Sequence, residues 1–325
     1  MLDQRLFKFL RLIYGVRFER FKMELNSVKG DYITPLNYHD TVNSVLPSAN
    51  VIVSISDKQN VRLCYSQTVN RPEFREISPF LFYDYSTGFT VTGNDTLQAA
   101  KIHNYDVRYE FYPGRSQVIS VTGFYKRFEH PIETRFPDNS QNPNITYVNT
   151  VKDATNLGVE TEIRILLGAL VKKQSWFLNN LTVLANYAYI KSKVKIPVST
   201  DKEVERRLQG QSSYVINSGL IYNDEKHGWG FSAFLNRTGP RIFIAGNNIY
   251  YDLWENGKTV VDMQLSKSFF KNRLELRASA KDILAQKQYF FEDKNNNQKL
   301  DINTDNLVQT TTFGRVFSLN ASFRF

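Results

Sequence analysis

The sequence predicts an all-β fold, a transmembrane antiparallel up-and-down β-barrel of about twelve strands, and three observations carry that prediction. Apolar residues recur at every second position, the period of a strand with one greasy and one polar face. These alternating stretches run for about 9 to 13 residues, where soluble strands average ~5–6 and tilted membrane-spanning strands need ~9–11. The connections between them alternate strictly between short and long, as in barrels with turns on one side of a membrane and loops on the other. The chain also ends on its greasiest strand. Phe325, Phe323, Ala321, Leu319 and Phe317 oppose Arg324, Ser322, Asn320, Ser318 and then Val316 over the stretch Phe313 to Phe325.

Taken in order, Leu10, Leu12, Tyr14, Val16 and Phe18 alternate with Arg11, Ile13, Gly15, Arg17 and Glu19. Met1 to Phe7 reads as the tail of an earlier strand, and Lys22 to Ser48 reads as a polar connection. Ala49 to Ile55 and Val61 to Tyr65 form a hairpin across a turn of Ser56 to Asn60. Tyr105 to Phe111 and Ile119 to Tyr125 form the next, across Pro113-Gly114-Arg115-Ser116. Leu157 to Ile165 pairs with Leu181 to Tyr189, Tyr214 to Tyr222 with Trp229 to Leu235, and Val261 to Leu265 with Leu274 to Ala280. Long loops lie between these pairs, at Asn70 to His103, Glu129 to Ala154, Lys191 to Gly210, Thr238 to Lys258 and Leu284 to Thr312. Phe111-Tyr112, Trp176-Phe177, Tyr222, Trp229, Phe269 and Phe323 all sit beside short turns or the carboxy-terminus, as one interfacial belt would place them. No convincing amphipathic helix appears.

Composition excludes several classes. The 325 residues are 42% hydrophobic and 14% aromatic, yet no run approaches the ~20 apolar residues of a membrane-spanning helix. The net charge of +9 is dispersed over turns and polar faces, so no nucleic-acid partner is expected. The single cysteine, Cys64, forbids an intrachain disulfide. Met1-Leu2-Asp3-Gln4-Arg5 is too polar to open a signal peptide, which for an outer-membrane protein implies a start further upstream.

No catalytic constellation is present, and neither a cofactor nor a resident metal is expected. His39, His103, His130 and His227 are scattered without ligand spacing. Gly228-Trp229-Gly230-Phe231-Ser232-Ala233 mimics a dinucleotide fingerprint but opens a hairpin's second strand instead of a helix. Asp293-Lys294-Asn295-Asn296-Asn297 offers oxygens at calcium-loop positions 1, 3 and 5. Gln298 stands where the loop needs Gly and Thr304 where it needs Glu, which favours a solvated turn.

Several stretches resemble one family. Tyr65-Ser66-Gln67-Thr68-Val69-Asn70-Arg71-Pro72-Glu73-Phe74-Arg75-Glu76, followed by Pro79-Phe80, resembles the strand-to-loop passage of TonB-dependent outer-membrane receptors, most of all their Bacteroidetes-type branch. Tyr14 to Glu19, His103 to Glu110, Leu157 to Glu162 and Leu208 to Ser212 are similar to further pieces of the same barrel, in the same order. The resemblance covers residues 1–325 as the carboxy-terminal portion of the barrel. It implies a 22-stranded parent, so the chain reads as a partial barrel lacking the plug and the first strands. It also implies a bacterial outer-membrane receptor that imports a scarce nutrient (siderophore-iron, cobalamin or glycan). The implied partners are outer-membrane lipid, the barrel assembly machinery, a surface lipoprotein, and the plug domain and TonB system through the missing amino-terminal part. Phe325 and Phe323 would carry the assembly signal.

Two sets of loop residues are candidate ligand contacts. Arg71, Glu73, Arg75 and Glu76 stand where a strand leaves the membrane, as an ion-paired loop anchor or a ligand-contacting rim; Arg206, Arg207 and Gln209 allow the same two readings. Tyr83, Tyr85, Tyr250, Tyr251 and Trp254 are loop aromatics that would stack on a sugar or chelator ring or pack the loops together. Two rival functions remain at this stage: a passive outer-membrane pore or other small barrel, and a soluble β-sheet carbohydrate-binding protein. An isolated chain of this kind should close on itself as a narrower barrel or leave a curved open sheet.

Overall fold

The computed structural model describes residues 1–28, 35–85, 87–137, 144–171, 175–199, 202–247, 249–295 and 297–325. Asn296 of the calcium-like loop and parts of the long loops therefore lie outside the described residues.

Long hairpins make up most of the chain. β1 (Leu2–Phe7) turns tightly into β2 (Leu10–Val28), and β3 (Pro35–Ser56) into β4 (Gln59–Asn70). A single helical turn, α1 (Phe74–Ile77), and the short β5 (Leu81–Asp84) and β6 (Phe89–Thr92) precede β7 (Ala100–Phe111) and β8 (Val118–Glu129). Next come β9 (Ile132–Arg135), β10 (Ile145–Asn149), β11 (Ala154–Leu166), β12 (Leu181–Ser199) and β13 (Lys202–Arg206). β14 (Tyr214–Asp224) and β15 (Trp229–Thr238) are followed by the short β16 (Arg241–Ile244) and β17 (Leu253–Glu255), then by β18 (Lys258–Phe269) and β19 (Leu274–Lys281). β20 (Gln288–Glu292), β21 (Asn306–Thr311) and β22 (Val316–Phe323) complete the chain.

One 14-stranded sheet takes the long strands in the order β1-β2-β3-β4-β7-β8-β11-β12-β14-β15-β18-β19-β22, with β13 folded back on β12. Thirteen strands thus follow one path, one more than the alternation suggests, because Leu2–Phe7 is a full partner of β2. Among the described residues β1 and β22 do not pair, so of the two expected forms the open sheet is the one found. The last strand is shorter than the alternation suggests and stops at Phe323, although the Arg324 amide still donates to the Arg273 carbonyl at 2.8 Å.

Register keeps one face apolar across the whole sheet. Ile165, Val183, Leu220, Ala233, Met263, Ala280 and Phe317 are consecutive partners along a single row. The neighbouring row on the other face is Thr182, Ile221, Ser232, Gln264, Ser279 and Ser318. A one-residue slip anywhere would send a set of apolar side chains to the polar face, so this continuity fixes the pairing. Leu319 and Phe317 are 78% and 72% exposed, and an apolar face left this bare suits hydrocarbon and not water.

The stretch from Lys22 to Ser48 is not a connection. β2 and β3 pair through it, from Leu10↔Val53 to Val28↔Pro35. The alternation continues there with its sign reversed. Leu10 to Phe18 place apolar residues on the outer face, but beyond them Arg20, Lys22 and Glu24 take that face. Phe21, Met23 and Leu25 turn inward, packing against Ile77 and Leu97. β12 reverses in the same way. Val183 to Tyr189 are outward and apolar, then Lys191, Lys193 and Lys195 point outward while Val194 is buried. Hydrocarbon requires an apolar outside; above it, water wets the outside and the inside must pack on protein. The reversal therefore marks where the wall leaves the membrane.

That packing is supplied by the long loops. They fold into two four-stranded sheets, β5-β6-β10-β9 and β16-β17-β20-β21, on the side of the wall away from the short turns. An isolated parallel bridge, Arg135↔Ala245, joins the two sheets. Their shared core is Val91, Phe136, Ile145, Ile244, Leu253 and Phe290. The hydrophobic core of the molecule is thus in this cap, while the wall buries itself against lipid.

Candidate functional site

A buried ion pair ties the loops of the cap together. Arg206 ends β13, opposite Val194 of β12, and so faces inward with it. Its guanidinium grips Glu133 of β9 with both nitrogens, Nη1 to Oε1 at 3.0 Å and Nη2 to Oε2 at 2.7 Å. Only 2% of the Glu133 side chain is exposed. Arg206 Nη1 also donates to the Arg207 carbonyl. Gln209 completes the knot. Its amide N–H donates to Glu133 Oε1 at 2.9 Å, its Oε1 accepts from the Thr134 amide, and its Nε2 donates to the Phe243 carbonyl. Three loops are tied through these side chains.

Electrostatics around the knot follow from burial and from who faces whom. Burial alone would lower the Arg206 guanidinium, but the Glu133 carboxylate outweighs it and holds the cation above its ordinary range. Burial pushes the Asp252 carboxyl up, because Arg206 stands 4.0 Å away and offsets only part of the desolvation. Asp252 accepts from the Gly246 amide at 2.7 Å. Burial also lowers Arg207, whose guanidinium lies 5.8 Å from the Trp254 ring and whose Nη1 is buried without a hydrogen-bond partner.

The other charged candidates at the strand exits have structural partners. Arg71 pairs with Glu19 at 2.5 Å and lies 5.1 Å over the Phe21 ring, tying the end of β4 to β2. Glu73 and Glu76 form a reciprocal capping box on α1, with the Glu73 amide donating to Glu76 Oε2 at 2.8 Å. Burial raises the Glu76 carboxyl. Arg75 is exposed and sits 4.9 Å over Phe82.

The aromatics divide into two groups. Trp254 is buried between Ile242 and Phe291, and Tyr250 packs 5.1 Å from Phe136 against the shared core. Tyr83 and Tyr85 stand edge to face at 5.0 Å and are exposed on the cap's surface, and Tyr251 is also exposed. Glu133 and Asp252, central to the geometry, carried no sequence signal: each is one acid among others in a long loop, with no motif or spacing that sets it apart.

Inside the wall, below the cap, the polar face forms two connected runs. Arg62 and Arg108 both bind Glu110, at 2.7 and 3.0 Å, and Arg108 reaches on to Glu162 at 2.7 Å. Asn186 donates to Glu160, and Asn217 and Asn236 continue the chain of side-chain amides. A cavity of about 360 Å³ adjoins the Glu162, Asn186, Asn217 and Asn236 row. In the calcium-like loop, Asp293 already accepts from the Asn297 and Gln298 amides and Asp305 from those of Lys294 and Asp301. The arrangement is that of a turn stapled by its own carboxylates.

Comparison with known proteins places this architecture. A family model described as "TonB dependent receptor-like, beta-barrel" matches residues 3–283. Among curated proteins, no sequence matches the chain. The fold is similar to that of a ferric enterobactin receptor, PfeA, from Pseudomonas aeruginosa, with a TM-score of 0.55 and 16% identity over 88% of this chain and 38% of that one. It is also similar to the siderophore receptor PiuA from Acinetobacter baumannii (TM-score 0.61, 10% identity, 88% and 38% covered). The copper transporter OprC gives a TM-score of 0.60 at 16% identity, with 88% and 41% covered. The chain spans about two fifths of the length of these solved relatives.

Proposed function

The chain belongs to the TonB-dependent receptor β-barrel family of the bacterial outer membrane, and on that premise we propose that it forms the carboxy-terminal wall and outer cap of a receptor that captures a scarce nutrient for energised import. The family consists of receptors and transporters, not enzymes. The observation that carries the reading is the division of labour in the loops. Their bases are locked by Arg206, Glu133 and Gln209 and, for the loop of Tyr83 and Tyr85, by Arg71 on Glu19, while Tyr83, Tyr85 and Tyr251 are presented on the outside. A rigid base under exposed rings is what capture of a planar or ring-bearing ligand requires. Arg71, Glu73, Glu76 and Arg206 act as anchors of that base, with Arg75 over Phe82 and Arg207 beside Trp254 as further cations of the same loops.

The proposed cargo class is a siderophore-bound iron, cobalamin or a glycan. The first is favoured by the proteins whose fold is similar, two siderophore receptors and a copper transporter. Import would need a plug and the TonB motor acting on the whole receptor. The test is binding of a ferric catecholate, cobalamin and an oligosaccharide mixture to cells carrying the whole receptor. Tyr83→Ala, Tyr85→Ala and Tyr251→Ala together are expected to weaken one ligand at least tenfold, since stacked aromatics contribute ~0.5–1.5 kcal/mol each. Unchanged binding of all three ligands in the triple variant would reject the rim assignment.

A further inference from the structure

The wall splits between β3 and β4 where it leaves the membrane. Their ladder runs from Ser56↔Gln59 to Ser48↔Ser66 and goes no further, although β3 continues along β2 to Pro35 and β4 along β7 to Asn70. The next residue of β3 explains the stop. The Ser54 amide donates to the Phe9 carbonyl, so even-numbered residues of β3 turn their backbone groups toward β2 and odd-numbered ones toward β4. Pro47 is the next odd position, and proline has no N–H to give.

Beyond Pro47 a cleft of about 280 Å³ opens, lined by Asn43, Val45 and Leu46 of β3, Gln67 and Val69 of β4, and Lys101 of β7. Its inner side is closed, since the inward Ser44 and Leu46 are 6% and 4% exposed. By the same alternation the backbone groups of Asn43 and Val45 on one lip face those of Gln67 and Val69 on the other. Among the described residues no backbone hydrogen bond crosses between these lips. Nor do the side chains of Asn43, Gln67 and Lys101 form a hydrogen bond or ion pair among the described residues. Lys101 stands opposite Val69 on one side and Glu129 on the other, but Glu129 lies 3.3 Å from His103 and 3.9 Å from Arg127.

We infer that this cleft docks an extended, acid-bearing segment of another protein at the cell surface, which adds as a strand to the free edge of β3 and sets a carboxylate against Lys101. A row of unpaired N–H and C=O groups is a template for a further strand. A small polar solute would satisfy the Asn43 and Gln67 side chains but not two backbone edges that face each other. The ammonium on the lip gives the segment its charge, since the one acid across the ladder is already engaged by two other side chains. The inference rests on the membrane placement of the wall and is independent of the cargo and of the exposed tyrosines.

The test uses the full chain folded in neutral detergent and a labelled short peptide of alternating threonine and valine with one central glutamate. Two controls carry glutamine in place of the glutamate or N-methyl groups along the backbone. Fluorescence anisotropy is expected to show saturable binding of the parent peptide and none of the N-methylated one. Val45→Pro removes an N–H from the free edge and none from the ladder with β2, and is expected to weaken the parent peptide roughly fivefold or more. Lys101→Gln is expected to weaken it roughly two- to fivefold, the effect of one exposed ion pair, and to leave the glutamine peptide unchanged. Should the proline prevent folding, hydrogen exchange on the unaltered chain decides. The amides of Asn43, Val45, Gln67 and Val69 should exchange faster than those of Ala49 and Val51 and become protected when the parent peptide is added. Amides protected without peptide, as a second copy of the chain in the cleft would make them, overturn the inference. So does absence of saturable binding, equal binding of the N-methylated peptide, full binding by Val45→Pro, or a Lys101→Gln effect that is the same for both acid and amide peptides.

Discussion

Glu133 and Arg206 are the residues on which the cap depends most. A bidentate pair this deep is strong only while both partners are present; removing one leaves a buried charge unpaired, at a cost of about 3–5 kcal/mol. Glu133→Ala and Arg206→Ala are therefore expected to loosen the cap while leaving the wall intact. Trp254 reports on the cap alone once Trp176 and Trp229, which sit on the turn side, are changed to Phe. Its emission should shift to the red in both variants; an unshifted spectrum would contradict the role given to the pair. Arg206→Lys should not restore it, because an ammonium cannot bind both carboxylate oxygens in the same fork.

The same reporter tests a pH dependence. Asp252 and Glu76 are both raised above the ordinary carboxylate range by burial. Below that range the folded and unfolded chains are both protonated and the stabilisation is fully present. As pH rises from the ordinary value through the raised one, the unfolded chain has released protons that the cap still holds, so stability falls; above that window it levels off. The cap should thus unfold at lower temperature at neutral pH than at mildly acidic pH, and Asp252→Asn should flatten the curve. A cap that gains stability across that window would reverse the sign and reject the assignment.

At the scale of elements, the strands that cross hydrocarbon were legible in the sequence and the others were not. Val183, Leu220, Phe231 and Leu319 belong to apolar sets that recur at every second position because lipid enforces an apolar outside, and they lie on one face as the period requires. Beyond the membrane the constraint inverts. Phe21, Met23 and Leu25 therefore broke the expected parity and made Lys22 to Ser48 look like a loop. The cap strands are three to six residues long and find partners far away in sequence, as Arg135 does at Ala245, so no local period announces them. Of the candidate site, the anchors at strand exits could be picked out by position. Glu133 could not, because its meaning comes only from Arg206 across the fold. Two outcomes follow for the wall. Val183→Arg is expected to cost ~2–4 kcal/mol near the midplane, read as a lower urea midpoint for unfolding from vesicles. Phe325→Asp in the whole receptor should cripple assembly, since Phe323 and Phe325 pack edge to face at 5.3 Å at the bare end of β22. Normal amounts of heat-modifiable receptor would contradict that.

For the whole molecule, the central claim is that one continuous sheet separates lipid from a polar interior, with its loops folded as a cap on one end. The sheet is open between β1 and β22, and open edges are costly in hydrocarbon. The chain by itself is therefore expected to show no motor-dependent uptake; accumulation of a ferric chelate by cells making only these 325 residues would refute this. The most direct measurement of the central claim is accessibility of single spin labels in membranes. Labels at Val183, Leu220, Phe231 and Leu319 should be relaxed by oxygen dissolved in lipid. Labels at Thr182, Asn217, Ser232 and Asn320 should be relaxed by a water-soluble nickel chelate. If the two agents reach both sets equally, the sheet is not a membrane wall.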